Sequence, residues 1–148
     1  MNNDLSDSAA HRAIADLVHG YALAIRRGEA VRCPAMFTQD GSFEVRQADP
    51  RDPASVQRLS LAEGRDAVGQ HLAASTSQVR MLPMIHNLIV DLDGDRATAS
   101  SLMAGQSIPP GYEVIGEYAD SFRREEGQWL FSSRIYTMYR VTPADAAQ

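Results

Sequence analysis

One cysteine stands in the whole chain, Cys33, so no internal disulfide is available and the sequence fits a reducing compartment. Basic charge is in deficit as well. Lys and Arg number 14 against 19 Asp and Glu, a net charge of -5, and no basic cluster supplies the counter-charge that nucleic acid needs. No apolar run approaches the ~18 residues of a membrane span, and the polar, acidic opening MNNDLSDSAAHR lacks a signal pattern. The chain therefore reads as soluble and cytoplasmic, with neither nucleic acid nor membrane as a partner. The four histidines are spread over three elements without ligand spacing, and Gly64, Gly94 and Gly105 are isolated. No metal, phosphate-cradling loop or cofactor is expected.

What is present is a helical first half and a strand-rich second half. At 148 residues the chain fits one domain, read as residues 8–141 between flexible tails 1–7 and 142–148. Ile14, Leu17, Val18, Tyr21 and Ile25 recur at helical spacing, which predicts a helix from Ser8 to Arg27 closed by Gly28. EAVRCPAMFTQDG predicts a short helix limited by Pro34, and SFEVRQ a strand. Residues 48–57, with Pro50 and Pro53, read as a surface loop. GRDAVGQHLAAS is a further helix, with Ala67, Val68, His71 and Leu72 on one side; His71 reads there as a packing residue.

The central stretch is MIHNLIVDLDGDRATASSLM, two strands folded back at Asp93-Gly94 in a type I′ turn. Strict alternation places His86, Leu88, Val90 and Leu92 on one face, so His86 heads an apolar row. Such a histidine either lines a pocket or is buried and bonded to a backbone carbonyl. Two more strands, Tyr112–Arg124 and Trp129–Tyr139, complete an α+β domain with an antiparallel sheet.

The order YALAIRRGE, AMFTQDGSFEV, EGRDAVGQHL, HNLIVDLDGDRATAS and GEYADSFRREEGQWLFSSRIY resembles the SnoaL-like branch of the nuclear-transport-factor-2-like superfamily, over residues 13–139. The resemblance implies a cystatin-like fold, a curved sheet wrapped round N-terminal helices into a cone with an internal pocket, and a homodimer formed through the sheet. Family members include ketosteroid isomerase, scytalone dehydratase, polyketide cyclases and non-catalytic dioxygenase subunits, so fold does not settle function. By position Tyr21 matches the tyrosine, and Asp120 the protonated aspartic acid, that hold the substrate oxygen in ketosteroid isomerase. That enzyme's base falls on Val45, the helix acid of SnoaL-like enzymes on Arg26, and the family's histidine spacing on Pro83, with His86 the nearest histidine on the strand.

Together these residues suggest a cofactor-independent lyase or isomerase of a small apolar, oxygen-bearing molecule (carbonyl, phenolic or polyketide-like). Tyr21 and Asp120 would donate to a developing oxyanion and His86 would move the proton. The alternative is a non-catalytic module that binds a hydrophobic ligand or supports a partner subunit. Asp120 also shares a face with Tyr118 and Phe122, where pairing with Arg134 or another cation on the neighbouring strand is the competing expectation.

Overall fold

The computed structural model describes the backbone of residues 2–143 and the side-chain surroundings of residues 4–139. Helix α1 (Asn2–Arg26) begins six residues ahead of the expected Ser8, since nothing in the exposed opening SDSAA stops it. Ile14, Val18, Tyr21 and Ile25 form its buried stripe. It ends where Gly28, at φ 75°, turns the chain and Glu29 N–H donates to Ala24 O at 2.8 Å.

The expected short helix is instead two single 3₁₀ turns, Ala30–Arg32 and Pro34–Met36, because Pro34 cannot donate to a continuing helix. Strand β1 (Phe37–Asp49) then pairs with β2 (Asp52–Glu63). The expected surface loop is therefore mostly strand. β2 lies at a sheet edge, where Pro53 need not donate to a ladder and polar side chains on both faces meet solvent. Helix α2 (Arg65–Ser75) follows and docks through Val68 and Leu72.

Strands β3 (Arg80–Asp93), β4 (Arg96–Ile108), β5 (Tyr112–Glu125) and β6 (Gln128–Pro143) complete one six-stranded sheet in the order β2-β1-β6-β5-β4-β3. All neighbours are antiparallel except β1 and β6. The sheet is curved and unclosed, with α1 packed against it. The type I′ signature sits at Glu126-Gly127, where both φ values are positive (52° and 78°), whereas the β3–β4 turn is centred on Gly94-Asp95 with only Gly94 positive. Beyond residue 143 the expected tail lies outside the described residues.

On β3 the expected alternation breaks. His86 pairs with Leu102 and Ile89 with Ser100, so Asn87 and Leu88 together face one residue, Ser101. This is a β-bulge, and Asn87 takes it up at φ 53°, a conformation asparagine tolerates. Before the bulge Met81, Pro83 and Ile85 point inward; after it Leu88, Val90 and Leu92 pack on the core.

Candidate functional site

Between α1, α2 and the inner face of the sheet lies a cavity of about 240 Å³. Its wall is mainly apolar: Ile25 from α1, Phe43 and Val45 from β1, Met81, Pro83 and Ile85 from β3, Met103 from β4 and Val114 from β5. Tyr21, Tyr118, Tyr136 and His71 supply the polar edges together with Ser75 and Thr76. Roomier grooves of about 570 and 630 Å³ lie on the outside, at the β1–β2 hairpin tip and beside α2, where half of each lining is exposed.

Tyr21 reaches this cavity from the buried stripe of α1, held edge-on between Phe131 at 5.9 Å and Phe37 at 6.3 Å. Burial raises the Tyr21 and Tyr118 hydroxyls above the ordinary phenol range, so both remain donors at neutral pH. Tyr136 is raised by burial too, and its hydroxyl donates to Met103 O at 3.2 Å.

Asp120 does not line the cavity. It sits directly opposite Arg134 across the β5–β6 ladder, with Arg134 Nε 3.0 Å from Asp120 Oδ1 and both side chains fully buried. The separation is that of an ion pair, yet the donor direction misses the oxygen, so the attraction is mainly Coulombic. The guanidinium is also caged by π faces: its carbon lies 3.5 Å from the Tyr118 centroid, 4.3 Å from Tyr21 and 4.6 Å from Phe131. Burial pushes the Asp120 carboxyl up to about 6, against the opposing pull of Arg134. The order from the cavity outward is thus tyrosine wall, caged arginine, carboxyl.

His86 is on the outer face of the sheet, exposed and separate from the cavity. Its expected place in an inward row is corrected by the bulge, which reverses the facing of every residue beyond Asn87 relative to His86. Glutamine at this position is expected to change stability by no more than about 0.5 kcal/mol, as at other exposed sites, which urea unfolding would check.

His71, which the sequence presents as a packing residue, also lines the cavity. The signal available was its position between Val68 and Leu72, on the edge of the buried stripe of α2. Its ring lies 5.4 Å from that of Phe43 at 39°. Burial lowers its pKa from the ordinary 6.5, so it is neutral at pH 7.

Among the described residues no group of three or more His, Cys, Asp or Glu side chains is placed to hold a metal ion, and no helix is long and apolar enough to cross a membrane. Burial raises the Cys33 thiol to about 11, which makes it a poor nucleophile at neutral pH.

Similar folds are numerous among solved structures. A candidate scytalone dehydratase from Novosphingobium aromaticivorans superposes with a TM-score of 0.76 at 21% identity, covering 96% of this chain and 91% of its own. A hexachlorocyclohexane dehydrochlorinase, LinA type 2, gives 0.73 at 16% identity with coverage of 95% and 92%. Rv3472, a protein of unknown function from Mycobacterium tuberculosis, gives 0.72 at 24% identity with coverage of 91% and 75%. No curated protein matches. Likeness at these identities concerns the fold, but the SnoaL-like domain family itself matches residues 6–135, nearly the whole chain, and the protein belongs to that family.

Proposed function

We propose that the protein is a cofactor-independent lyase or isomerase that holds a small, apolar, oxygen-bearing molecule in the inner cavity. The observation that carries this reading is one apolar chamber of about 240 Å³ walled by phenols that burial keeps protonated. Such a chamber favours a small, uncharged molecule, and Tyr21 and Tyr118 would donate to its oxygen as negative charge develops there. Asp120 acts in this reading through Arg134, whose guanidinium fixes the faces of both tyrosines; it is a positioning residue and touches no ligand. Two similar folds carry the names of eliminating enzymes, a dehydratase and a dehydrochlorinase, and an elimination removes a proton from carbon along with the leaving group.

A binding-only reading has its own support. Val45 and Pro83 both line the cavity at the positions where the family resemblance places a base and a histidine, and neither can accept a proton. Thermal unfolding with β-naphthol and small aryl ketones tests the shared element. Saturation near 100 times the dissociation constant adds about 2.7 kcal/mol, a midpoint shift of about 5–10 °C. Tyr21→Phe is expected to weaken β-naphthol up to about tenfold by removing one hydrogen bond, and to slow turnover of an identified substrate by about 100-fold. Unchanged turnover in that variant would take Tyr21 out of the oxyanion site, whereas a wild type that binds these compounds and turns none of them over would favour the binding module.

We also propose that two copies pair through the outer sheet face, where Met84 and Ile89 are 51% and 61% exposed and Ile115 lies close by on β5. Sedimentation equilibrium reads this directly, and a monomer at micromolar concentration would end it.

A further inference from the structure

Taking a proton from carbon requires a group at the cavity wall that is unprotonated at neutral pH and carries a free lone pair of adequate basicity. The ionisable side chains lining the cavity are Tyr21, His71, Tyr118 and Tyr136. The three phenols face it from α1, β5 and β6 and are kept protonated by burial, which suits them to donate and disqualifies them as bases. His71 remains. It stands on a helix that Val68 and Leu72 anchor to the core, and Phe43 of β1 packs against its ring and limits its rotation. Among the described residues no carboxylate or guanidinium lines the cavity, so none of them commits the imidazole to an ion pair there. Burial alone shifts its titration, downward, which leaves it unprotonated at pH 7.

We propose that His71 is the proton-transferring catalytic residue of this cavity, doing from helix α2 what Val45 and Pro83 cannot do from the sheet. The inference rests on the reading that the cavity takes a carbonyl compound. In the step it performs, a ring nitrogen of His71 removes a proton from the carbon next to the carbonyl. The C–H electron pair becomes the new C=C bond, and the carbonyl π pair moves to the oxygen, which accepts hydrogen bonds from Tyr21 and Tyr118. As the oxygen pair returns to re-form C=O, the imidazolium gives the proton either to the far carbon of a conjugated enolate, whose C=C pair makes the new C–H bond of an isomer, or to a β-hydroxyl, where the enolate C=C pair becomes the Cα=Cβ bond and the breaking C–O bond leaves with its pair as water. Atoms and charge balance without an oxidant, reductant or metal.

Nitrobenzisoxazole makes the test independent of the natural substrate, because any correctly placed base removes its ring proton, breaks the N–O bond and releases a coloured cyanophenolate. Wild type, His71→Gln and the exposed-site control His11→Gln would be assayed across pH, with β-naphthol binding followed separately by thermal shift. Wild type is expected to accelerate the reaction and to lose rate only below the ordinary imidazole range of about 6.5. His71→Gln should lose about 100-fold or more in kcat/KM together with the acidic limb, while still binding β-naphthol, and His11→Gln should match wild type. A loss smaller than about tenfold in a His71→Gln protein that binds β-naphthol overturns the proposal, as does a wild type that binds β-naphthol without accelerating the reaction. Should wild type bind no β-naphthol at all, the cavity reading falls and the proposal with it. Proton NMR of wild type supplies a readout that does not depend on the variant folding. The His71 ring resonance should shift on adding β-naphthol, and one that ignores it counts against the proposal.

Discussion

Replacing Arg134 by alanine is expected to destabilise the protein by about 3–5 kcal/mol, lowering the midpoint of thermal unfolding by roughly 10 °C. The guanidinium is 0% exposed and lies 3.0 Å from Asp120, which is 3% exposed. Its removal leaves a buried carboxyl without its counter-charge and empties the space between Tyr21, Tyr118 and Phe131. A loss below about 1 kcal/mol by urea unfolding would show that the pair is energetically idle.

Asp120→Asn should be milder, because it removes a charge whose desolvation is unfavourable while keeping the arginine among its aromatic faces. It also isolates a pH effect. Burial raises the Asp120 pKa from 3.8 to about 6 in the folded protein, so the folded state holds that proton more tightly than the unfolded chain. The stability it contributes is fully present below about pH 4 and is lost as pH rises through about 6, on the order of 2–3 kcal/mol. Other carboxyls run the opposite way. Arg123 beside Asp40 lowers it, and at Glu44 the hydrogen bonds from Arg46 and Arg58 overcome the upward push of burial. Their contribution is present above about pH 4 and lost on acidification, so the wild-type curve alone mixes both signs. The difference between wild type and Asp120→Asn should fall steadily from pH 4 to 7, and a flat difference would contradict the buried-carboxyl account.

The second large effect concerns Gly116. A Cβ there would meet Thr137 O at 2.1 Å, Tyr136 Oη at 2.9 Å and Met138 Cα at 3.0 Å. The first and last of these are backbone atoms, which cannot swing aside as a side-chain end can. The position falls where the β5–β6 register slips between Ile115 and Gly116, so the close approach belongs to the path of the strands. Gly116→Val is expected to cost about 3 kcal/mol or more, at the upper end for overpacked sites. It should also weaken β-naphthol, since moving Tyr136 breaks its bond to Met103 O and distorts two residues of the cavity wall. A variant of near wild-type stability would mean that the β5–β6 pair yields locally.

Local periodicity was enough to place α1, α2 and the last four strands, because one face of each is apolar and the period identifies the element. Five motifs in order also pointed to the family, and the direct apposition of Asp120 and Arg134 was already one of two expectations. Strand β2 was hidden because an edge strand with Pro53 and mostly exposed side chains lacks the alternation that marks a half-buried one. The inward row of β3 could not be read either. One asparagine at positive φ shifts the pairing by a residue, and whether it does so depends on what faces it across the ladder, here Ser101. That shift put His86 outside. Burial was equally beyond reach, since it comes from segments far apart in the chain: Phe43 packs on His71, and the three tyrosines share its cavity, only once α1 and α2 fold onto the sheet. The order of residues along the chain was sufficient for the elements, their sequence and the family, because those follow from local propensity and pattern. Which ionisable groups share one cavity was decided by the tertiary fold, because desolvation and pairing depend on neighbours that sequence distance does not reveal.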